Sequence, residues 1–277
     1  MMPDTPGIQA QTLRQTGIDA PAGEVRLSIQ GGVAAVVFDR PRARNAMTWA
    51  MYAQLSEVCQ QLHDDAAVKV VTFRGAGGQA FVAGTDIEQF KTFQTGDDGL
   101  AYEAQIDRVI AQLEALPMPT VALIEGWAVG GGLAIATTCD FRIASLGAQF
   151  GVPIARTLGN CLSIANLARL NAAFGQARVK RMLMLAEMLD DTEALACGYL
   201  NAVVDAAGLD AASAQLCQRL MALAPVTQSV IKESLRRLVV DALPQGDDLI
   251  RRAYASDDFH EGVAAFVAKR PPLWTGK

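Results

Sequence analysis

Three consecutive glycines, residues 130–132, give this sequence its clearest candidate for chemistry at the backbone. They follow the apolar run Thr120–Ile124, which predicts a buried strand, and precede Leu133–Ala136, which predicts the start of a helix. The first N–H groups of a helix lack intrahelical partners and lie at the positive end of its dipole. Such a turn suits a ligand group that carries or develops negative charge. The alternative is a tight turn that only packs a helix closely against a strand.

Side chains that usually carry nucleophilic or metal chemistry are scarce. The two histidines, His63 and His260, lie far apart in polar segments, so a Ser–His or Cys–His pair is poorly supplied. The turn Gly75–Gly78 lacks the third glycine of a G-x-G-x-x-G fingerprint, which argues against a dinucleotide-dependent oxidoreductase. The absence of any C-x-x-C pair favours free thiols in a reducing compartment over disulfides or a metal site. The five cysteines are Cys59, Cys139, Cys161, Cys197 and Cys217.

The composition of the 277 residues, 51% hydrophobic and 19% charged, is that of a globular protein with one substantial core. A net charge of −5 argues against nucleic acid as the main partner, although local basic residues still suit a small anion. No apolar run reaches the ~20 residues of a membrane span, and no secretory signal is visible at the N-terminus. We therefore expect a cytoplasmic protein without a membrane partner.

Strand and helix patterns alternate over the first half of the chain. Residues 25–29 and 33–38 predict a β-hairpin, and residues 68–73, 120–124 and 141–144 predict further strands. Helices are predicted from Thr48 onward and around residues 106–113. This alternation predicts an α/β fold with a largely parallel sheet. Gly96–Gly99 is expected to form an exposed, mobile loop.

The second half of the chain predicts mostly helices. We divide the chain into a loose tail over residues 1–22, a core over residues 23–206 and a helical region over residues 207–277. The amphipathic helices of this last region need a surface to cover, either their own core or another subunit. The predicted helices span residues 166–189, 192–198, 208–223, 225–242, 246–256 and 259–269.

Four segments resemble motifs of the crotonase (enoyl-CoA hydratase/isomerase) superfamily, in the same order and spacing, over residues 24–276. No single segment would be specific, whereas four together are strong evidence. The segments are Arg40-Pro41-Arg42-Ala43-Arg44-Asn45-Ala46, similar to R-P-x-x-x-N-A; Phe81–Ile87, similar to F-x-A-G-x-D-I; Gly126–Gly132, similar to G-x-A-x-G-G-G and followed by Cys139-Asp140; and Glu261–Arg270, similar to E-G-x-x-A-F-x-x-K-R.

The resemblance implies a crotonase-like spiral of ββα units with a C-terminal helical region that forms trimers, often paired as hexamers. It implies a CoA thioester as substrate and no cofactor beyond the CoA moiety. The backbone N–H groups of Thr85 and Gly131 would form the family's oxyanion hole, in which losing one donor typically costs ~3 kcal/mol. Phe266 and Lys269 would reach the CoA of a neighbouring subunit. The wall at the adenine and ribose-phosphate end of CoA would comprise Arg42, Arg44, Ala46, Ala83, Asp86 and Ile87.

Two glutamates that hydratases of this family use to position and split water are absent. Their positions hold Ala134, in the first turn after the glycines, and Ile154, directly after Pro153. Neither side chain transfers protons, and each such group usually contributes about 10²–10⁴-fold, so we expect weak or absent hydration of simple enoyl-CoAs. Glu103 and Asp107, on an earlier helix, are possible replacements, but an exposed helical face is the favoured interpretation for both.

The segment after Pro153 differs from the family's usual I-P-G-x-G-G and holds two further candidates. Arg156 is either an anchor for a substrate carboxylate or phosphate, or a partner in a structural salt bridge. Cys161 is either a nucleophile or, since no histidine is near it in sequence, an inert buried thiol. Asp140 is expected to be structural.

Two hypotheses from different classes remain. The first is an acyl-CoA enzyme, a lyase or isomerase, whose reaction is isomerisation, decarboxylation, hydrolysis or C–C cleavage rather than simple hydration. The second is a catalytically silent acyl-CoA-binding protein. Affinity for CoA without turnover of any thioester would distinguish the second hypothesis from the first.

Overall fold

The structure, a computed structural model, describes residues 23–276, so the tail predicted over residues 1–22 lies outside the described residues. Strands and helices alternate as far as residue 151, and helices dominate after it. The strands are β1 (Glu24–Gln30), β2 (Val33–Asp39), β3 (Val70–Gly75), β4 (Ala80–Val82), β5 (Thr120–Ile124), β6 (Trp127–Val129), β7 (Phe141–Ser145), β8 (Gln149–Gly151), β9 (Leu189–Asp190) and β10 (Ala202–Val204).

Helices alternate with the strands in the first part of the chain and make up most of its C-terminal part. Short 3-10 helices cover Pro41–Ala43, Ile87–Thr92 and Ala206–Gly208. The α-helices are α1 (Trp49–His63), α2 (Gly96–Glu114), α3 (Gly131–Thr138), α4 (Ile154–Thr157), α5 (Ile164–Phe174), α6 (Gln176–Met184), α7 (Asp191–Ala196), α8 (Leu209–Met221), α9 (Pro225–Val240), α10 (Asp247–Tyr254) and α11 (Asp257–Val267). Among the described residues, no helix combines the length and apolarity that crossing a bilayer requires.

Two sheets form the centre of the fold. The larger sheet has the strand order β1-β2-β3-β5-β7-β10, and the smaller has the order β4-β6-β8-β9. The hairpin of β1 and β2 is antiparallel, with Gln30 opposite Val33, while the other strands of the larger sheet are parallel. The predicted hairpin and the largely parallel sheet are therefore confirmed. Because β4 and β6 are also parallel neighbours, the segments that follow them leave the smaller sheet side by side.

Two of the local predictions are wrong. The helix predicted over residues 166–189 is two helices, α5 and α6, because Gly175 adopts a φ of +76° between them. Gly96–Gly99 is not an exposed loop but the first turn of α2, with both glycines buried. A Cβ at Gly99 would lie 2.2 Å from Tyr254 Cγ, so these glycines allow α10 to pack directly on α2.

The predicted C-terminal region divides among three locations. Helix α8 covers the larger sheet, where Leu209, Cys217 and Leu220 pack against apolar side chains of β3, β5 and β7. Helix α9 has no buried residue, and α10 and α11 return to α2 and the 3-10 helix at residues 87–92. Lys232 Nζ links α9 to Asp140 at 2.8 Å. Since Asp140 also accepts a hydrogen bond from the N–H of Thr120, its predicted structural role is confirmed.

Candidate active site

A cavity of about 810 Å³ lies between the two central motifs, α2, α5 and α11. Twelve residues were singled out from the sequence, and ten of them line this cavity, whereas Arg156 and Cys161 do not. Residues that are distant in the chain are therefore brought to one place. The ten are Thr85, Gly131, Arg42, Arg44, Ala46, Ala83, Asp86, Ile87, Phe266 and Lys269.

Two backbone segments meet at the inner part of the cavity. Gly84 and Gly130 have φ values of +104° and +53°, and a Cβ at Gly130 would lie 3.7 Å from the Cα of Gly84. The N–H of Met47 donates to the carbonyl oxygen of Gly84, and the carbonyl oxygen of Met47 accepts from the N–H of Asp86. The N–H of Thr85, which lies between these two residues, takes no part in this pairing. Gly131 is the first residue of α3, so its N–H lacks an intrahelical acceptor. Within residues 23–276, neither N–H takes part in a backbone hydrogen bond outside the regular elements.

Three hydroxyl groups lie beside these backbone groups. Thr85 Oγ1 lies 2.9 Å from the hydroxyl of Tyr52 and 2.9 Å from that of Tyr102. A Cβ at Gly131 would be 2.5 Å from the Tyr52 hydroxyl and 3.3 Å from Thr85 Oγ1, so all these groups converge on one point. Burial raises the pKa of both tyrosines above the usual range, and both hydroxyls are therefore neutral at physiological pH. The cavity thus offers neutral hydrogen-bond donors and acceptors next to the helix N-terminus.

The two positions at which the family resemblance implies glutamates in hydratases also face this space. Ala134 and Ile154 both line the cavity, so hydrocarbon side chains form this part of its wall. Ala134 is 8% exposed and lies in the first turns of α3. These side chains contribute shape and dryness to the cavity but no proton.

Glu103 supplies the buried carboxylate that the sequence interpretation missed. It lines the cavity and is 3% exposed, so the expectation of an exposed helical face is wrong for this residue. The Tyr254 hydroxyl donates a hydrogen bond to Oε1 at 2.7 Å, and the N–H of Ser163 donates one to Oε2 at 3.1 Å. Burial raises the pKa of Glu103 from 4.5 to about 7, against the opposite effect of these two hydrogen bonds.

A sequence signal for this burial did exist. Glu103 lies three, seven and ten residues before Ile106, Ile110 and Leu113, which are the apolar residues on the buried face of α2. Asp107, one turn later, is half-buried, accepts a 2.7 Å hydrogen bond from the Ser163 hydroxyl and does not line the cavity. The two carboxylates lie one turn apart on the same side of α2, and of the two only Glu103 lines the cavity.

Arg156 and Cys161 do not line the cavity, although residues next to them in the chain do. Arg156 lies exposed on the short helix α4. Cys161 is half-buried, with its sulfur 4.0 Å from the carbonyl oxygen of Leu249, and burial raises its thiol pKa to about 12. A thiol with so high a pKa holds little thiolate at neutral pH, and thiolate is the nucleophilic form.

Phe266 and Lys269 lie at the C-terminal side of the cavity. The structure places both in the wall of their own chain's cavity. The reason is the return of α10 and α11, whose Tyr254 and Phe259 join Phe90 in one aromatic cluster over α2. The C-terminal helices thereby close the cavity of the chain that carries them. The contact of Phe266 and Lys269 with the CoA of a neighbouring subunit stays a prediction.

The first two sequence motifs are joined by polar contacts. Asn45, fully buried with a φ of +59°, donates hydrogen bonds to the carbonyl oxygens of Ala76 and Ala80 at 2.9 and 2.8 Å. Arg40 Nη1 pairs with Asp86 at 2.8 Å, which ties the arginine loop to the segment that contains Thr85. These contacts explain why the motifs carry Asn, Arg and Asp at fixed positions.

Comparison with known proteins identifies the family to which this fold and cavity belong. A family sequence model described as Enoyl-CoA hydratase/isomerase matches residues 28–277, and the chain belongs to this family. The resemblance inferred from the four motifs and the crotonase-like α/β fold are therefore confirmed. Members of the family act on CoA thioesters, and the chain is an acyl-CoA enzyme of this family.

Relatives of similar sequence or structure have different reactions in their names. The chain is 31% identical over 250 residues to a short-chain-enoyl-CoA hydratase of Clostridium acetobutylicum, covering 89% of this chain and 95% of the relative. It is 31% identical over 261 residues to a carnitinyl-CoA dehydratase of Proteus mirabilis, covering 91% and 98%. A methylmalonyl-CoA decarboxylase in complex with 2-nitronate-propionyl-CoA is 26% identical, with a TM-score of 0.83 and coverage of 91% and 98%. Similarity alone therefore does not select the reaction.

Proposed function

We propose that the protein binds an acyl-CoA thioester and stabilises its enolate or oxyanion through the N–H groups of Thr85 and Gly131. The observation that carries this proposal is that Thr85 and Gly131 line the same cavity of about 810 Å³, where a Cβ at Gly131, the first residue of α3, would lie 3.3 Å from Thr85 Oγ1. Negative charge on a thioester oxygen would be stabilised there by two preorganised donors and by the helix dipole. The reaction is one that passes through an enolate, and it is not simple enoyl-CoA hydration.

The argument against hydration rests on Ala134 and Ile154. Two groups that each contribute about 10²–10⁴-fold are replaced by hydrocarbon, so hydration should be slower than that of a two-glutamate hydratase by roughly 10⁴-fold or more. Isomerisation of a β,γ-unsaturated acyl-CoA suits the cavity better, because it only moves one proton within the substrate. Hydrolysis is less favoured because it needs a group that activates water, whereas decarboxylation and C–C cleavage also form an enolate and stay alternatives to isomerisation.

The cavity mouth suits the phosphates of CoA. Arg42, Arg44 and Lys269 line it, and guanidinium groups bind phosphate oxygens well. Phe266, about half exposed, offers an aromatic face beside them. We propose that these residues hold the nucleotide end of CoA, with Ala46, Ala83 and Ile87 lining the path inward, and that no other cofactor takes part.

A second copy of the chain is the proposed occupant of the outer face of α9. Apolar side chains of this helix are exposed in the single chain, and the resemblance implies trimers or pairs of trimers. Light scattering should therefore give three or six copies, whereas a monomer would contradict this part of the proposal. The cytoplasmic location also stays a proposal. The exposed residues are Val226, Val230, Ile231, Leu235 and Leu238.

The function is tested with two substrates in D₂O. Crotonyl-CoA should keep its conjugated absorbance, while 3-hexenoyl-CoA should gain that absorbance or incorporate deuterium at the α-carbon, followed by mass spectrometry. Gly131→Ala should reduce the second activity by about 10²–10³-fold, because it disturbs one of the two donors. Rapid loss of crotonyl-CoA absorbance would contradict the proposal. Binding of both thioesters without exchange or turnover would favour the catalytically silent acyl-CoA-binding protein.

A further inference from the structure

Three carboxylates line the cavity within the described residues, and one of them is buried without a cation. Asp86 pairs with Arg40 at 2.8 Å, and Glu88, which is exposed, pairs with Lys91. Glu103 is 3% exposed, and its hydrogen-bond partners in residues 23–276 are a hydroxyl and a backbone N–H. A carboxylate neutralised by a guanidinium or ammonium group is a weak base, whereas one without such a partner accepts a proton more readily.

We propose that Glu103 is the proton-transferring carboxylate of this cavity, held in place by the hydroxyl of Tyr254 on α10. Glu103 would supply, from α2, the proton transfer that the side chains of Ala134 and Ile154 cannot perform. This inference rests on the proposed function, because the proton transfer needs an enolate held by the backbone donors.

Glu103 lies on the part of α2 that contacts Thr85, one of the two residues whose N–H groups are the proposed donors. Helix α2 contributes Tyr102, Glu103 and Ile106 to the cavity wall. The Tyr102 hydroxyl is 2.9 Å from Thr85 Oγ1, so this part of α2 touches the residue that supplies one of the two N–H groups. Glu103 directly follows Tyr102 in this helix, and it lines the same cavity.

The proposed step balances within the substrate and one side chain. The Glu103 carboxylate takes a proton from the α-carbon of a β,γ-unsaturated acyl-CoA, and the electron pair of the broken C–H bond forms the enolate. The thioester oxygen carries the negative charge, next to the N–H groups of Thr85 and Gly131. Protonated Glu103 then gives the proton to the γ-carbon, the double bond moves to the α,β position, and the carboxylate is restored.

The surroundings of Glu103 suit a group that both takes and returns a proton. Hydrogen bonds from Tyr254 and from the N–H of Ser163 favour the carboxylate, whereas burial and the nearby Asp107 favour the carboxylic acid. Their balance gives a pKa of about 7, which is near the best value for acid–base catalysis at neutral pH. The titratable groups that face Glu103 are Tyr52 of α1, Tyr102 and Asp107 of α2, Cys161 of the loop before α5, and Tyr254 of α10.

A purely structural role is the competing explanation, since Glu103 also ties α10 and the loop at Ser163 to α2. Such a tie would affect folding, but it would not set the pH at which the enzyme works. The pH–rate profile therefore separates the two explanations. Tyr254→Phe removes a hydrogen bond that favours the carboxylate, and Asp107→Asn removes a charge that favours the acid.

The experiment measures conversion of 3-hexenoyl-CoA and deuterium incorporation in D₂O, from pH 5 to pH 9, in four proteins. Wild-type kcat/KM should rise with pH through a midpoint near 7. Tyr254→Phe should move the midpoint to higher pH, and Asp107→Asn should move it to lower pH while keeping the maximal rate. Glu103→Gln should lose at least about 10²-fold in rate and still bind crotonyl-CoA. Asp107→Asn is the matched control, because it makes the same chemical change one turn away, outside the cavity wall.

Each outcome decides the proposal. Opposite shifts of the midpoint support it even if Glu103→Gln does not fold, because both shifted variants keep the Glu103 carboxylate. Turnover that survives in folded Glu103→Gln within about threefold, or midpoints that do not move in the other two variants, would overturn it and leave the proposed function intact. A wild type that neither exchanges nor isomerises any thioester would instead overturn the proposed function, and this inference with it.

Discussion

Replacing Gly131 with alanine should disturb the N-terminus of α3 through a single contact. The added Cβ would lie 2.5 Å from the Tyr52 hydroxyl, while its next neighbour, Thr85 Oγ1, is 3.3 Å away. Real Cβ atoms rarely come closer than 3.0 Å to such an atom, so the hydroxyl or the helix must move by at least about 0.5 Å. Tyr52 is fully buried and cannot swing into solvent. The strain therefore falls on the turn that carries the Gly131 N–H.

The size of the effect follows from overpacking. An inserted methyl group in a packed interior typically costs about 1–3 kcal/mol, so we expect a loss of that size in the free energy of unfolding. Displacement of one backbone donor should also lower the rate of enolate formation by about 10²–10³-fold. The first effect needs no knowledge of the substrate, and the second tests the role of the N–H group.

The assay is a double-mutant cycle in urea with Tyr52→Phe. This second change removes the clashing oxygen, after which the nearest ring atom is 3.9 Å from the new Cβ. Alone, it should cost about 1 kcal/mol, because it removes the 2.9 Å hydrogen bond to Thr85. The double variant should be more stable than the sum of the single effects by at least about 1 kcal/mol. Additivity within about 0.5 kcal/mol would refute the reasoning, because it would mean that the two groups do not meet.

Three further predictions concern packing and ionisation around the cavity. Gly99→Ala puts a Cβ 2.2 Å from Tyr254 Cγ, so limited proteolysis should release the C-terminal helices faster, with a loss of about 1–3 kcal/mol in unfolding free energy. The pKa of Glu103 rises from 4.5 in its ordinary state to about 7 on folding, so the folded chain keeps a proton that the unfolded chain releases. The unfolding free energy of wild type relative to Glu103→Gln should therefore fall by roughly 3 kcal/mol as pH rises through this window, measured in urea titrations. Cys161, whose thiol pKa is raised from 9.0 to about 12, should react with iodoacetamide at pH 8 about a thousandfold more slowly than an exposed thiol.

The chain offers matched controls for these changes. Gly208→Ala suits both glycine variants, since Gly208 has a φ of −89° and its Cβ would lie 3.8 Å from the nearest atom, Val204 Cβ. Its stability should change by less than about 0.5 kcal/mol. Proteolysis of Gly99→Ala at the rate of this control, a pH-independent difference for Glu103→Gln, or rapid alkylation of Cys161 would each contradict the packing from which the prediction was drawn.

Local sequence patterns were sufficient for the hairpin, the parallel sheet and the helix that follows the glycine turn. Strand alternation predicted the hairpin and the parallel sheet, and the glycine turn predicted a helix from Leu133 onward, which in the structure begins at Gly131. The motif residues Arg40, Asn45 and Asp86 make contacts within one small region, so their spacing alone carries the information. Such features depend on few residues and on backbone geometry, so they can be predicted from the sequence.

The burial of Gly96, Gly99 and Glu103 depends on contacts between segments that are distant in the sequence. Gly96 and Gly99 resemble a loop locally, and only the approach of α10, about 150 residues later in the chain, explains them as the buried start of a helix. Glu103 resembles a surface charge until α10 and the loop at Ser163 cover it. The spacing of Glu103 to Ile106 and Ile110 predicts the apolar side of α2, but the local pattern does not show which later segments cover Glu103 or the two glycines.

The position of the acid–base group also connects the chemistry to the C-terminal helices. A glutamate at position 134, on α3, would lie in the main core cluster, which in the described part of the chain contains no residue of α10 or α11. Glu103, in contrast, takes its burial and one hydrogen bond from Tyr254 of α10, so its pKa depends on α10 lying against α2. If α10 moved away, water would reach the carboxylate and its pKa would return toward the ordinary value near 4.5. The base would then be too weak for the α-proton of a thioester, and closure of the C-terminal helices would be a condition for proton transfer.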